Sequence, residues 1–135
     1  MEKTLAIIKP DAVKAKNSGK IIDRIEQEGF EILGMKKIHL TKEQAEKFYA
    51  IHKERPFFES LVEFMTSGHV IVMALQKDNA IKAWRDLMGA TDPNEAKENT
   101  LRKLYGSNKG ENATHGSDAL ETAATEVKFF FPELA

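Results

Sequence analysis

The sequence contains no cysteine, and this absence already limits the chemistry that is open to the protein. Disulfides, thiolate nucleophiles and cysteine-ligated zinc are excluded. Long hydrophobic runs are lacking too: the N-terminal run at residues 5–8 and the longest run, at residues 70–75, are too short for a signal-peptide core or a membrane span. The sequence therefore predicts a cytoplasmic protein that does not enter a membrane.

The chain also lacks an excess of charge of either sign. Lysine and arginine total 20 and aspartate and glutamate total 21, which gives a net charge of −1. This balance excludes a strongly basic surface for nucleic acid and an acidic disordered tail. A small local cluster of positive charge remains compatible with it.

The composition is that of a globular protein, with 41% hydrophobic and 30% charged residues. A length of 135 residues predicts one domain, spanning residues 1–135. A chain of this size buries roughly two-thirds of its unfolded surface, so it can form a core without covalent cross-links.

Apolar periodicity predicts alternating strands and helices along most of the chain. Strands are predicted at residues 4–8, 31–40 and 70–75, with a bulge or close approach at Gly34. Helices are predicted around residues 21–25, at 80–88 and at 118–127. Two further helices are predicted from their start signals, a capping box at 41–44 and Pro56 in a first helical turn. Residues 90–114 show no period and predict an irregular functional loop, with a last short strand just before His115. This order favours an α+β fold of the ferredoxin-like βαββαβ kind, a four-stranded antiparallel sheet with helices on its faces.

Of the four histidines, His115 has the sequence context most suggestive of a functional site. His39, His52 and His69 lie in strand or helix patterns that favour structural or surface positions. His115 lies between the irregular loop and a Gly-Ser-Asp helix entrance, where Ser117 and Asp118 are able to cap open N–H groups. A carboxylate such as Glu126 on the following helix would fix the imidazole tautomer and make the other ring nitrogen a nucleophile. Both interpretations, a bystander in a capped turn and a nucleophile, remain open from the residues alone.

Three cations and one aromatic residue suggest a phosphate or nucleotide site. Lys9 ends a buried strand, while Arg85 and Arg102 lie on a helix and in the long loop. Each is compatible with an ordinary surface position, but together they could hold phosphoryl oxygens. Phe57 is either a core residue or a platform for base stacking. The P-loop, G-x-G-x-x-G and H-E-x-x-H motifs are all missing.

The segment at residues 112–118 reads N-A-T-H-G-S-D and resembles the N-x-x-H-G-S-D signature of nucleoside diphosphate kinases. Further motifs of that family stand in the same order at similar spacing: Ile8-Lys9-Pro10-Asp11, Tyr49, Arg55-Pro56-Phe57-Phe58, Met88-Gly89-Ala90-Thr91-Asp92-Pro93 and Thr100-Leu101-Arg102. The resemblance covers essentially the whole chain.

This resemblance implies an enzyme that moves the γ-phosphoryl group of a nucleoside triphosphate, with ATP as the expected donor, onto a nucleoside diphosphate. The reaction would be ping-pong, through a phosphohistidine on His115, with Glu126 orienting the imidazole and Ser117 as its hydrogen-bonding neighbour. The positions that match the family's phosphate and ribose contacts are Lys9, Tyr49, Arg85, Thr91, Arg102 and Asn112. Phe57 matches the aromatic residue on which the base stacks, and stacking tolerates every base. Mg²⁺ is expected to arrive with the nucleotide phosphates, without a dedicated protein site, and the protein is expected to be a homo-oligomer, a tetramer or a hexamer.

The alternatives are a nucleic-acid-binding module and a non-catalytic scaffold. The near-neutral charge and the lack of stacking aromatics on a central strand weigh against the first. The retained set of site residues weighs against the second. The chain departs from the family at Leu104, Asn99 and His69, and the missing acid at Leu104 predicts a more mobile 90–114 loop.

Overall fold

The computed structural model describes residues 1–134. Its four strands are β1 (Glu2–Ile8), β2 (Glu31–Ile38), β3 (Val70–Lys77) and β4 (Thr114–Gly116). Its seven α-helices are α1 (Pro10–Lys14), α2 (Ser18–Gln27), α3 (Lys42–Phe48), α4 (Phe58–Met65), α5 (Ala80–Met88), α6 (Leu101–Tyr105) and α7 (Leu120–Phe130). Short 3₁₀ helices lie at Ala50–His52 and Pro132–Leu134.

The four strands form one antiparallel sheet in the order β2-β3-β1-β4. Side chains along β1 alternate between its two faces, as a strand requires. Ala6 and Ile8 pack on the side of α2 and α5, whereas Leu5 and Ile7 pack on the side of α3, α4 and α7. The predicted α+β, ferredoxin-like sheet with helices on its faces is confirmed.

Several local predictions are confirmed together with their physical causes. Thr41 and Gln44 form the reciprocal capping box at the start of α3. The β2–β3 register shifts at Gly34, where a side chain would meet the ring of Phe131 at 2.9 Å, so both the bulge and the close approach are present. Gly29 follows α2 with φ +88°, a conformation that glycine adopts without strain.

Other local predictions were wrong. The 90–114 segment is not wholly irregular, because Thr100 caps the short helix α6 within it. Pro56 precedes α4, which begins at Phe58. The cap predicted for α7 from Ser117 and Asp118 is absent: the N-cap residue is Ala119, which has no side-chain oxygen that could accept from the helix N–H groups. Pro10 ends β1 but also begins α1, since proline fits the first turn of a helix.

The β1–β4 pairing brings distant segments of the chain together at one end of the sheet. Because the two strands are antiparallel, the end of β1 lies beside the start of β4, with Ile7 opposite His115 and Ile8 opposite Thr114. The Lys9 N–H extends this ladder by donating to the Ala113 carbonyl at 2.8 Å. No helix among residues 1–134 is both long and apolar enough to cross a membrane.

Candidate active site

His115 is held by a carboxylate on the neighbouring helix. Its place opposite Ile7 turns its side chain to the face of the sheet that α7 covers. There, His115 Nε2 lies 3.0 Å from Glu126 Oε1, and the two side chains are 19% and 14% exposed. A carboxylate accepts, so Nε2 carries the proton and Nδ1 is the nitrogen with a free lone pair.

Ser117 fixes the carboxylate in turn. Its hydroxyl donates to Glu126 Oε1 at 2.8 Å and accepts from the Leu5 N–H at 3.3 Å. Ser117 is fully buried, so both bonds lie away from water. The hydroxyl expected to cap α7 therefore orients Glu126 instead.

Aromatic rings enclose the imidazole on the same face. The rings of Phe48 and Tyr49 stand edge-on to that of His115, with centroids 5.4 and 6.2 Å away. The Tyr49 hydroxyl is buried without a hydrogen-bond partner within the described chain. Burial, and then the negative charge of Glu126, raise the pKa of Tyr49, so this phenol stays protonated.

Trp84 supports the other side of the same strand. Its indole N–H donates to the His115 carbonyl at 3.0 Å. Gly116 faces this indole, and a Cβ at that position would lie 2.5 Å from Trp84 Cδ1. Glycine is therefore needed for close approach, and the backbone beside His115 rests directly on helix α5.

Lys9 and Asn112 form a polar contact beside this strand. The Lys9 ammonium donates to Asn112 Oδ1 at 2.7 Å, and Asn112 Nδ2 donates to the Thr91 carbonyl at 3.0 Å. Burial lowers the pKa of Lys9 to about 8, with help from Arg102, while Asp11 opposes the shift. A cation that has lost most of its water is available to an anionic ligand.

Arg102, which lies in helix α6 and not in an irregular loop, joins the end of α5 to β4. Its guanidinium donates to the Gly89 carbonyl at 3.0 Å and to the Thr114 carbonyl at 2.9 Å, while its Nε is buried without a partner in the described part of the chain. Burial, followed by the charge of Arg85, lowers the pKa of Arg102 to about 10. Two of its five donors hold the main chain, so only part of its fork remains for a ligand.

Two cavities meet at Thr91. One, of about 930 Å³, is lined by Arg85 and Arg102, and the other, of about 610 Å³, by Lys9 and Phe57. Phe57 is 46% exposed, which a platform for a planar ligand requires and a core residue does not show. Both volumes lie within the usual range for small-molecule sites.

The structure thus brings most of the predicted residues to one end of the sheet, and it leaves two histidines apart from them. His39 and His69 lie against each other, with ring centroids 5.1 Å apart. His52 packs 5.6 Å from the Phe57 ring, closer to the site than its pattern indicated. Asn99, where the family commonly has glycine, has φ +69°, a conformation that asparagine tolerates.

Three residues that touch this site were not predicted: Trp84, Phe48 and Asp11. The first two fall in the helices predicted at 80–88 and after the capping box, and their apolar helical spacing gave no sign of a role at the site. Asp11 was quoted only as part of a motif, although its carboxylate accepts from the Ala113 N–H at 3.0 Å.

A histidine oriented by a carboxylate and accompanied by buried cations is an arrangement suited to covalent phosphoryl transfer. The family model described as nucleoside diphosphate kinase matches residues 2–135. A nucleoside diphosphate kinase of Geotalea daltonii is 60% identical over 134 residues, which cover 99% of this chain and 98% of that one. The chain belongs to the nucleoside diphosphate kinase family, whose members are phosphotransferases.

Solved structures agree with this assignment. The nucleoside diphosphate kinase of Aquifex aeolicus superposes with a TM-score of 0.96 at 47% identity, covering 98% of this chain and 96% of that one. A halophilic nucleoside diphosphate kinase from Halobacterium salinarum, solved in complex with CDP, gives 0.93 at 39% identity, covering 96% and 87%. Family membership favours the enzyme over the scaffold and nucleic-acid alternatives.

Proposed function

We propose that this nucleoside diphosphate kinase transfers the γ-phosphoryl group through a covalent intermediate on Nδ1 of His115. The observation that carries the proposal is the 3.0 Å contact between His115 Nε2 and Glu126 Oε1. It commits Nε2 to donating a proton and leaves the Nδ1 lone pair as the nucleophile.

In the first half-reaction the Nδ1 lone pair attacks the γ-phosphorus, and the bond from that phosphorus to the bridging oxygen breaks. The electron pair leaves with the nucleoside diphosphate, and the ring becomes positively charged while Nε2 keeps its proton. The Glu126 carboxylate stabilises this charge, and Ser117 holds the carboxylate in place. In the second half-reaction a β-phosphate oxygen of another nucleoside diphosphate attacks the phosphorus, and the P–N electrons return to Nδ1.

The cations around the site position the phosphates and neutralise their charge. Phosphoryl transfer depends on positioning and electrostatics more than on further covalent chemistry. Lys9, Arg85 and Arg102 provide three positive charges, and the buried Arg102 Nε is an unused donor among the described residues. The hydrogen bond from Asn112 to the Thr91 carbonyl holds the Asn112 side chain beside the Lys9 ammonium.

Phe57 is the proposed platform for the base. Its ring is half exposed and lines the same cavity as Lys9, so a base could stack there while the phosphates extend towards the cations. Stacking does not discriminate strongly between bases, which supports a broad nucleotide specificity.

Mg²⁺ is proposed to enter as a complex with the nucleotide. Residues 1–134 contain no cluster of three or more histidine, aspartate or glutamate side chains that could hold a metal ion. Mg²⁺ keeps several waters and binds readily to phosphate oxygens, so nucleotide and solvent suffice as its ligands. When bound it would neutralise phosphate charge beside Lys9 and the two arginines.

The assembly and the setting of the enzyme are also proposals. We infer one domain over residues 1–135, working in the cytoplasm as a homo-oligomer, a tetramer or a hexamer. Strand β2 lies at an edge of the sheet and carries the exposed side chain of Met35, 51% accessible. An open edge with an exposed apolar side chain supports contact with another copy.

Labelling tests the proposed intermediate directly. Incubation with γ-³²P-ATP and Mg²⁺, without an acceptor, is expected to give acid-labile, alkali-stable label on the protein. Added GDP should remove the label and form labelled GTP, because the phosphoenzyme is the donor in the second half-reaction.

Peptide mapping supplies the matched control within the chain itself. Trypsin separates the four histidines into four peptides, at residues 38–42, 48–53, 54–77 and 110–128. Phosphate on the 110–128 peptide alone supports the proposal. A folded wild-type protein without label, or label on another histidine peptide, contradicts it.

The lowered pKa of Lys9 predicts the alkaline side of the pH profile. As pH rises through about 8, the free enzyme loses the Lys9 charge, and kcat/KM is expected to fall with a slope approaching one decade per pH unit. Stability should move the other way. The unfolded lysine binds more protons between pH 8 and 10.5, so the Lys9 contribution to stability rises with pH across that window.

Kinetics from pH 6 to 10, with Lys9→Met as the control, check this expectation. The variant should have a lower kcat/KM throughout and should lack the inflection near pH 8. A wild-type profile that is flat through pH 9, or an inflection that persists in Lys9→Met, contradicts the assignment.

A further inference from the structure

The residue two positions before His115 has an unusual backbone conformation. Ala113 has φ +72°, and the Thr114 N–H donates to the Asn112 carbonyl at 2.9 Å across it. A hydrogen bond of this span around a residue with positive φ defines a γ-turn of the rare and strained kind. Such a turn persists only where surrounding contacts hold it.

Two residues at the end of β1 hold this turn. The Asp11 carboxylate accepts from the Ala113 N–H at 3.0 Å, and the Lys9 N–H donates to the Ala113 carbonyl at 2.8 Å. Both polar groups of Ala113, which is fully buried, are thereby used. Asp11 is the only side chain in this pair of contacts, so it is the part that a substitution can remove.

The turn sets the spacing between two functional groups. On one side lies Asn112, which binds the Lys9 ammonium, and on the other lies the strand that carries His115. A change in the turn would shift the nucleophile relative to the phosphate contacts. A misplacement of about 1 Å is enough to lower a rate by roughly 100-fold.

We propose that Asp11 is a positioning residue for phosphoryl transfer, acting through its hydrogen bond to the Ala113 N–H. It lines neither of the two cavities that meet at Thr91, and among the described residues it makes no hydrogen bond to His115. Its carboxylate stabilises the γ-turn that sets the spacing between Asn112 and His115. This inference rests on the proposed function of His115.

Two substitutions separate the hydrogen bond from the charge. Asp11→Ala removes both, whereas Asp11→Asn keeps an accepting oxygen towards Ala113 and places an amide where Oδ1 is buried without a partner among residues 1–134. Assays at pH 6.5 lie well below the wild-type Lys9 pKa of about 8, which limits the loss of its ammonium charge when the opposing Asp11 charge is removed. Asp23→Ala is the matched control, because it removes an exposed aspartate that also accepts one hydrogen bond, from Gln27.

Quenched-flow labelling with γ-³²P-ATP measures the rate at which His115 is phosphorylated, and ADP titration measures binding. Asp11→Ala is expected to lower the phosphorylation rate by roughly 10- to 100-fold, while the ADP dissociation constant changes less than about threefold because the Phe57 and arginine contacts remain. Asp11→Asn should recover most of the rate, and Asp23→Ala should match the wild type.

A wild-type rate in Asp11→Ala overturns the proposal, and so do equal losses in Asp11→Ala and Asp11→Asn. Where Asp11→Ala does not fold, the same pair is compared in an Ala113→Gly background, since glycine adopts positive φ without strain. Because glycine needs no side chain to hold the turn, removing Asp11 there should change the phosphorylation rate by less than about threefold; a loss of about tenfold or more in that background would show that Asp11 acts by another route and overturns the proposal. Failure of the proposed function is distinct, because it appears as an unlabelled wild type.

Discussion

Replacing His115 with alanine is expected to lower kcat/KM for phosphoryl exchange by at least about 10⁴-fold, the scale on which a covalent nucleophile contributes. The substitution removes the Nδ1 lone pair and leaves Glu126 without the proton donor that it holds at 3.0 Å. Because the attacking atom is gone, substrate binding cannot compensate. A coupled assay with ATP and a nucleoside diphosphate measures the loss.

Binding and folding should survive this change. Phe57 and Lys9 line a cavity whose wall does not include His115, so ADP affinity is expected to stay within a few-fold of the wild type. His39→Ala is the control, since this exposed histidine contacts the Thr66 carbonyl and lines neither of the two cavities that meet at Thr91. Turnover above about 1% of the wild type in pure His115→Ala contradicts the covalent route and favours direct transfer between bound nucleotides.

Much of the fold could be predicted because local signals and burial agree. The alternation of continuous apolar strands with helical stripes predicted the sheet. The capping box at residues 41–44 and the apolar pattern at 80–88 predicted helices where α3 and α5 occur. The short helices α1 and α6 escaped prediction, since five residues are too few to show a helical period. Their start signals are nevertheless local: Pro10 stands in the first turn of α1, and the Thr100 side chain caps α6.

The sequence predicted which residues form the site better than it predicted the contacts that these residues make. The motif around His115 indicated which side chains belong together, but no pattern states which carbonyl an arginine will bind. Arg102 uses two donors on Gly89 and Thr114, which ties the phosphate side of the site to the backbone beside His115. The roles of Asp11 and Trp84 were not predicted for the same reason. Each side chain forms a hydrogen bond with a main-chain group, and the sequence does not show which main-chain group a side chain will reach.

These main-chain contacts link the chemistry to the packing of the sheet. His115 is supported from one face by Glu126 and from the other through its carbonyl by Trp84. A displacement of its neighbours on the strand would therefore displace His115 as well. The position with the least room is Gly116.

Gly116→Ala is accordingly expected to destabilise the protein by about 3 kcal/mol, the upper end for an overpacked core. The new Cβ would lie 2.5 Å from Trp84 Cδ1 and 2.6 Å from Met88 Cε, and Trp84 is fully buried with no room to withdraw. For 135 residues this corresponds to a fall of roughly 10 °C in the melting temperature. Thermal and urea unfolding measure it.

Gly19→Ala provides the matched control for this experiment. Gly19 lies in helix α2, and no described atom lies within 4 Å of the position that an alanine methyl group would take, so alanine there should be neutral or stabilising by about 0.5–1 kcal/mol. A double variant with Trp84→Phe should be more stable than the two single effects added together, because the smaller ring makes room for the Cβ. Equal stability of Gly116→Ala and Gly19→Ala, or simple additivity with Trp84→Phe, would show that β4 moves freely over α5, and the nucleophile would then not depend on this contact for its position.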